Sequence, residues 1–308
     1  MNKYKALRKG SSKHEEEIFM RLHGIIKVSI LLFADCALIR LVLNKEAAVA
    51  VTAGILLYAW LGEYIALLKD GAISLNQLSP HEKSRLLRIQ ACLSEDVSRV
   101  SGISIANIKL HVLPSGSINA YAYGFRHISM TMAMLNSCDD TTLCAVLGHE
   151  ISHTLHMDAV FHRIIFANIA ATLVGLIAVS LISTSFMWIL FILLCAFGIC
   201  GGLFSVFAFY GIRKLTGGIF MALQHGLLFL YQIAMGMASR GCEFRADLYS
   251  CELGYGPQLR YFLTRFAEGQ ETRRHTLNDI LYASHPAACK RILRIDQFHA
   301  NILNRTCR

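Results

Sequence analysis

Long apolar blocks alternate with charged stretches along this chain of 308 residues. The first two blocks cover residues 24–43 and about 47–68, and only a few residues separate them. Since a transmembrane helix needs about 20 apolar residues, the pair predicts a transmembrane hairpin. Asp35, Arg40 and Glu63 lie inside these blocks, where charge is costly, so we expect them to be satisfied within the hairpin.

The longest apolar block covers residues 164–212, where 49 consecutive residues carry no charge. This length fits two further membrane-spanning helices, and the hydroxyl residues at 183–185 predict the turn between them. We therefore predict a second transmembrane hairpin over residues 161–212. A third uncharged block, 215–239, follows shortly afterwards.

Residues 69–160 show the pattern of a water-soluble α+β segment. The Ser-Pro pair at 79–80 predicts the start of a helix that ends near residue 102. Alternating apolar residues predict short strands at 108–112 and 128–132. Capping residues and acids at 137–140 begin another helix. The sequence therefore predicts a mainly helical protein whose soluble part contains a small β-sheet.

The composition also indicates a membrane protein, with 54% hydrophobic residues and a mean hydropathy of +0.45. A net charge of +9 could instead indicate nucleic-acid binding. However, the Lys and Arg residues flank the apolar blocks, and the N-terminal segment 1–23 is itself basic. Basic residues mark the cytoplasmic side of membrane helices. We therefore expect a lipid bilayer as partner, no nucleic acid, and both soluble stretches in the cytoplasm.

The clearest candidate chemistry is the pattern H-E-x-x-H at residues 149–153. Positions four apart share one face of a helix, so His149 and His153 can bind one ion such as zinc. Glu150 lies beside them, where it can accept a proton from a water molecule that the metal holds. The alternative is a pair of solvent-facing histidines on an ordinary helix, because so short a pattern also occurs by chance.

A second polar cluster, at residues 239–247, offers a third ligand. Glu243 and Asp247 are four residues apart and share a helical face. Glu243 can complete a site of two histidines and one glutamate that leaves one position for water. Asp247 can hold a ligand imidazole in one tautomer. The alternative is a surface helix of mixed charge.

This metal site sets a condition on the membrane topology. Glu243 must lie on the same side of the membrane as His149, so the number of crossings between them must be even. Block 164–212 supplies two crossings. We therefore expect block 215–239 to form a buried or membrane-surface helix and not a fifth span.

Together, these motifs resemble those of the HtpX-type membrane metalloproteases, which share one gluzincin family with the CAAX-prenyl proteases. The matching features are H-E-x-x-H at 149–153, Asp158 five residues after His153, S-R-x-x-E-x-x-A-D at 239–247, Asn-Ala-Tyr-Ala at 119–122, and Ser-His-Pro at 284–286 with Arg291 six residues after His285. The resemblance covers most of residues 70–160 and 215–295. It departs from HtpX in having block 215–239 between the last predicted span and the ligand motif.

The resemblance implies a role for each residue of the metal site. His149, His153 and Glu243 would bind one Zn²⁺ ion per chain, and Glu150 would be the general base. Further residues would orient the ligand imidazoles, namely Asp247 and Asp158.

It also implies residues that act on the substrate. His285 and Arg291 would stabilise the tetrahedral oxyanion, although a histidine before Pro286 is also typical of a helix start. A peptide would add as an extra strand to the edge formed by Asn119, Ala120 and Tyr121.

The predicted fold is a mainly α membrane protein with two transmembrane helical hairpins, 24–68 and 161–212. A gluzincin-like α+β zinc protease domain with a small β-sheet is assembled from residues 69–160 and 213–308. The predicted activity is zinc-dependent endopeptidase cleavage of unfolded or membrane proteins in quality control. We expect a bacterial inner membrane, with the active site on the cytoplasmic side.

Two alternatives stay open. The first is a catalytically silent, zinc-binding membrane scaffold that keeps the fold. The second is a CAAX-type processing protease, although about four spans are few for enclosing a large chamber. The sequence does not indicate an oligomeric state.

Overall fold

The computed structural model describes residues 44–198, 203–267 and 286–306, together with isolated positions between 26 and 40. The predicted N-terminal segment, most of the first predicted span, Asp35 and His285 lie outside the described residues.

The chain divides into two units. The first combines residues 1–164 with 236–308, and the second consists of residues 165–235. Every candidate site residue that the structure describes belongs to the first unit.

Helix α1 (Lys45–Lys69) corresponds to the second helix of the first predicted hairpin. It begins after Asn44, whose side chain accepts a hydrogen bond of 2.9 Å from the N–H of Ala47. The helix is long and apolar enough to cross a membrane. Trp60 and Tyr64 contact each other edge-on near its C-terminal end, and such rings are typical of a membrane–water boundary.

The soluble segment after α1 follows the predicted pattern. Ser79 caps the next helix in a capping box with Glu82, and Gly102 ends it in the left-handed conformation at φ 71°. The predicted helix and both predicted strands are confirmed. The elements are β1 (Ile73–Ser74), a 3₁₀ turn (Leu75–Gln77), α2 (Pro80–Ser101), β2 (Lys109–Leu113), β3 (Ala120–Ala122) and β4 (His127–Thr131).

The four strands form one mixed sheet in the order β1-β2-β4-β3. Strands β2 and β4 are parallel, and the outer strands pair antiparallel with them, so β3 is an edge strand. Apolar side chains cover one face and are buried in the core, namely Leu110, Val112, Ile128 and Met130. Helix α1 contacts the other face, where Tyr64 meets the ring of His127.

A short helix, α3 (Met132–Ser137), leads into α4 (Asp140–Leu155), which carries the H-E-x-x-H pattern. Asp139 caps α4 through the N–H of Thr142 at 2.6 Å, as its position in the sequence predicts. Arg85 of α2 contacts Asp140 at 2.6 Å and donates to the carbonyl of Cys138 at 2.7 Å. These contacts fix the start of α4 against α2.

The turn predicted at residues 183–185 is wrong. Helix α5 (Asp158–Ala196) runs through these positions without a break. Serine and threonine hydroxyls can bond to carbonyls of the preceding helical turn, so a short hydroxyl run does not have to end a helix. The helix ends instead before Gly198, which has φ 72° and donates to the carbonyl of Cys195 at 3.0 Å.

We expected block 215–239 to form a separate buried or membrane-surface helix, and this prediction is wrong. The block lies in the middle of α6 (Leu203–Glu252), and the predicted boundary at residue 213 falls inside the same helix. A candidate span covers Val206–Ile233, with no buried side chain in its most apolar window. We had predicted that this block separates the last span from the ligand motif, in contrast to HtpX. This prediction is also wrong, because the candidate span and Glu243 lie on the same continuous helix.

Two candidate spans consequently lie between His149 and Glu243 in the part of the chain that the structure describes. This even number agrees with the topological condition derived above. In the second unit, α5 and α6 pack through Phe191 and Phe209, whose rings stack 4.4 Å apart. Arg213 of α6 lies over the ring of Trp188 at 5.2 Å.

The described C-terminal part consists of α7 (Gly256–Phe262), a π-helical turn (Leu263–Ala267) and α8 (Ala288–Thr306). These elements pack against the core through Leu259, Leu263 and Ile295, which are all almost fully buried. Helix α8 brings Arg291 to the first unit's candidate site.

Among the described residues, Glu63 of α1 has its hydrogen-bond partners in the sheet that follows and not in the predicted hairpin. Its side chain is 2% exposed, and it accepts hydrogen bonds from the backbone N–H groups of Phe125, Arg126 and His127. We expected Glu63 to be satisfied within the hairpin, but its described partners belong to the turn between β3 and β4.

Candidate metal centre

Helices α4 and α6 approach each other closely beside the H-E-x-x-H pattern. A Cβ atom on Gly148 would lie 3.0 Å from Cδ1 of Leu253, so the absence of a side chain permits this approach. Ser250 of α6 donates to the carbonyl of Ala145 at 2.8 Å. This packing brings the helical face of Glu243 against that of His149.

Three side chains converge between the two helices. The Nε2 atoms of His149 and His153 are 3.2 Å apart, and each lies 3.5 Å from one carboxylate oxygen of Glu243. The three ligand atoms lie within 4.8 Å of one another. Two imidazoles and one carboxylate are the donor set of a catalytic zinc site with one open position. The residues present therefore fit a zinc ion.

Each candidate ligand imidazole is held by an aspartate at its other nitrogen. Nδ1 of His149 lies 3.0 Å from Oδ1 of Asp247, and Nδ1 of His153 lies 3.0 Å from Oδ2 of Asp158. An imidazole that donates from Nδ1 presents its Nε2 lone pair to a metal. The structure thus brings Asp247 and Asp158 into contact with the two candidate ligand imidazoles.

Each aspartate is in turn held by an arginine. Arg291 donates to Asp247 from Nε at 2.8 Å and from Nη2 at 2.6 Å, and its Nη1 lies 3.1 Å from Glu243. Nη2 of Arg245 contacts both oxygens of Asp158, at 2.8 and 2.6 Å. The sequence predicted Arg291 as an oxyanion donor, and the structure places its guanidinium against the carboxylates of the metal site.

The electrostatics of the cluster favour a cation. Burial opposes the charged form of His149, but hydrogen bonds to Asp247 and Glu243 outweigh it and raise the pKa of this imidazole. Burial opposes the charged form of His153 as well, yet Asp158 and Glu243 raise its pKa to about 10. Burial acts to raise the pKa of Asp247, but Arg291 and His149 hold it below its usual value.

Glu150 follows His149 on α4, and its residue is 8% exposed. It is close enough to contribute to the electrostatic environment of both His153 and Arg291. The carboxylate predicted as the general base is therefore buried at the candidate centre. His285 lies outside the described residues.

The predicted substrate edge corresponds to β3, which packs against α4. The backbone N–H of Thr131 donates to the carbonyl of Asn119, and the backbone N–H of Tyr123 donates to the carbonyl of His127, each at 2.9 Å. Because paired residues alternate in an antiparallel ladder, the backbone groups of Ala120 and Ala122 point to the open edge. The side chain of Asn119 accepts from the N–H of Ala120 at 2.9 Å, and the exposed ring of Tyr121 lies beside it.

Sequence reasoning missed two residues that the fold brings to functional elements. Arg245 is 87 positions from Asp158, and no helical or strand spacing connects them. Glu63 is 64 positions from His127, whose N–H it binds. The single signal for Glu63 was a charge inside an apolar block, which does not identify its partner.

The chain is similar to known proteins over the region that contains this site. Residues 84–299, which contain all the residues of the candidate metal centre, match the family described as Peptidase family M48. The chain is 27% identical to a CAAX prenyl protease 1 homolog of Arabidopsis thaliana over 195 residues, 59% of this chain and 41% of that protein. It is 27% identical to Protease HtpX of Legionella pneumophila (strain Lens) over 154 residues, 49% of this chain and 48% of that protein.

These two matches span less than half of the length of the relatives. The solved structure of S. mikatae Ste24p aligns with this chain at a TM-score of 0.47 and 19% identity. The alignment covers 82% of this chain and 57% of the Ste24p chain. The family match and the two sequence matches confirm the resemblance to HtpX-type and CAAX-prenyl proteases. The chain therefore belongs to peptidase family M48, a family of metalloproteases.

Proposed function

We propose that the chain is a membrane-embedded, zinc-dependent endopeptidase. The observation that carries this proposal is the convergence of His149, His153 and Glu243 on one point beside the buried carboxylate of Glu150. Family membership supports peptidase activity, and three described helices are long and apolar enough to cross a membrane.

The catalytic step follows from the chemistry of these residues. A bound zinc ion would polarise the scissile carbonyl and favour ionisation of water at neutral pH. Glu150 accepts a proton from the attacking water and later passes it to the leaving amine. Asp247 and Asp158 keep the Nδ1 protons in place, so that the Nε2 atoms of His149 and His153 stay available as ligands.

Substrate binding uses the edge of the sheet. An extended peptide adds beside β3 and bonds to the backbone groups of Ala122 and to the carbonyl of Ala120, whose N–H already donates to Asn119. Such binding imposes little sequence preference, which suits unfolded or membrane proteins as substrates. Arg291 acts through Asp247 and Glu243, and His285 is the remaining predicted donor to the oxyanion.

The proposed setting is quality control of membrane proteins. Relatives named HtpX and the basic segments beside the apolar helices support a bacterial inner membrane with the site on its cytoplasmic side. A scaffold without activity would have no need of the general base at position 150, which favours the enzyme over that alternative.

The test is cleavage of casein by the full chain purified in detergent, after chelation and after return of zinc. Wild type and Glu150→Gln are compared, with Glu95→Gln as the matched change at an exposed position of α2. We expect zinc-dependent cleavage by wild type and Glu95→Gln, and none by Glu150→Gln at equal zinc content. If all three proteins show the same casein cleavage, or none, at equal zinc content, this result would contradict peptidase activity of the site and favour the scaffold.

A further inference from the structure

The carboxylate of Glu63 binds the turn that connects β3 to β4. Oε1 accepts hydrogen bonds from the N–H groups of Arg126 at 2.9 Å and His127 at 2.8 Å. Oε2 accepts from the N–H of Phe125 at 3.2 Å. Hydrogen bonds to a charged group are stronger than neutral ones, and a buried charge is destabilising without such partners. The turn and α1 are therefore firmly connected.

A second helix that contains a candidate membrane span, α5, contacts the same turn. Arg163 of α5 donates from Nη1 to the carbonyl of Tyr123. A Cβ atom on Gly124 would lie 2.5 Å from Nη2 of Arg163 and 3.2 Å from Oε2 of Glu63. The turn thus lies between the two side chains with no space for a methyl group at its centre.

This turn determines where the proposed substrate edge lies. Strand β3 has three residues, so its direction depends on how its two ends are held. Its N-terminal end is held by the bond between Thr131 and Asn119, and its C-terminal end by the bond between Tyr123 and His127. Ala122, whose backbone groups point to the open edge, immediately precedes Tyr123.

We infer that Glu63 is a positioning residue for substrate binding: by holding residues 125–127, it aims the backbone N–H and carbonyl of Ala122 at the incoming peptide. The inference rests on the proposed function, in which β3 is the strand to which the substrate adds. Glu63, a buried charge on the candidate membrane span α1, thereby contributes to the peptide site.

The test measures binding of fluorescently labelled casein by anisotropy. All variants are made in the full-length, zinc-loaded Glu150→Gln protein, so that binding is measured without turnover. Glu63→Gln keeps one acceptor oxygen, and Glu63→Leu keeps none while retaining an apolar helix that can still insert. Glu46→Gln is the matched control, because Glu46 is exposed on the same helix. We expect Kd to rise about tenfold for Glu63→Gln and further for Glu63→Leu, because hydrogen bonds to the charge are lost.

A second pair of variants tests the turn without changing Glu63. Gly124→Ala places a methyl group against Arg163 and Glu63, whereas a Cβ atom on Gly116 meets nothing within 4 Å. We expect Gly124→Ala to weaken casein binding and Gly116→Ala to leave it unchanged. Hydrogen exchange of residues 120–127 supplies a structural measurement, and zinc content shows that each variant retains the metal site.

The outcomes separate a positioning role from a structural one. If the amides of residues 125–127 lose protection while Kd stays at the parent value, Glu63 only stabilises the turn and the inference is overturned. If the Glu63 variants lose zinc and fail to fold, the comparison of Gly124→Ala with Gly116→Ala decides, and equal Kd values overturn the inference.

Failure of the proposed function is a different result. If the wild-type chain does not cleave casein but Kd rises through the Glu63 series, the peptidase assignment fails and the positioning role stands. If casein is cleaved and Kd does not change through the Glu63 series, the peptidase assignment stands and the positioning role fails. Absence of casein binding by the Glu150→Gln parent overturns the positioning role, whereas the peptidase assignment is decided by wild-type cleavage alone.

Discussion

Arg291 holds both carboxylate oxygens of Asp247, from Nε at 2.8 Å and from Nη2 at 2.6 Å. Asp247 in turn lies 3.0 Å from Nδ1 of His149. At the other candidate ligand imidazole, Asp158 contacts Nδ1 of His153, and a single nitrogen of Arg245, Nη2, lies near both oxygens of Asp158. Each imidazole is therefore oriented by an arginine–aspartate pair, and the two pairs come from three different helices.

Arg291→Lys should weaken zinc binding. Lysine keeps the positive charge but cannot form the two parallel hydrogen bonds to Asp247. Loss of such outer contacts typically lowers metal affinity about tenfold to a hundredfold. Competition with a fluorescent chelator measures the affinity. Arg260→Lys is the matched control at an exposed position, and equal zinc affinity of the two variants would show that Arg291 does not orient the ligands.

Asp158→Asn should also weaken zinc binding, by about tenfold or more, because the neutral amide is a poorer acceptor for His153 Nδ1. Arg245→Gln should have a smaller effect in the same direction, since it leaves Asp158 in place. The same chelator competition applies, with Asp296→Asn as an exposed control. Unchanged affinity in Asp158→Asn would remove Asp158 from the metal site.

His111 should make stability depend on pH. Its Nε2 lies 2.8 Å from Nδ1 of His127. Burial, and then the nearby charges of His127 and Lys109, lower the pKa of His111 from 6.5 to about 4, while Glu63 opposes this shift. Between these two values the unfolded histidine binds a proton that the folded one does not. Stability present above pH 6.5 is therefore lost as the pH falls toward 4.

Thermal unfolding in detergent between pH 7 and about 4 checks this expectation. His111→Gln should reduce the fall of Tm across that window, because the titrating group is absent. His81→Gln, an exposed change on α2, should leave the fall unaltered. Identical pH profiles for wild type and His111→Gln would contradict the expectation.

Elements whose signals are local could be predicted from the sequence. The cap of Ser79 on α2, the left-handed Gly102 at its end and the cap of Asp139 on α4 all depend on neighbouring residues. The metal ligands belong to the same class, because positions four apart on a helix share a face. Their convergence then needed only the packing of two helices.

The second hairpin could not be placed from hydropathy. Over 49 uncharged residues, the length fits two short spans as well as parts of two long ones. The effective signal was Gly198, which adopts φ 72° and ends α5, and not the hydroxyl run at 183–185. Arg213 and Lys214 looked like the end of a span, yet they lie within α6.

Contacts between distant residues had no pattern to reveal them. Glu63 binds a turn 64 positions away, and Arg245 contacts Asp158 from another helix. In both cases the charge was visible in the sequence but its partner was determined by tertiary packing. Buried charges are therefore useful markers of contacts whose partners only the fold supplies.

The most direct test of the central claim is the zinc X-ray absorption spectrum of the purified full chain. We predict nitrogen and oxygen ligands at about 2.0–2.2 Å, consistent with His149, His153 and Glu243, and no sulfur shell. Glu243→Gln should lower zinc content or change that shell, whereas Cys242→Ser should leave it intact. A sulfur shell near about 2.3 Å would mean that a cysteine such as Cys242 binds the metal. That result, or an unaltered spectrum in Glu243→Gln, would contradict the site described here.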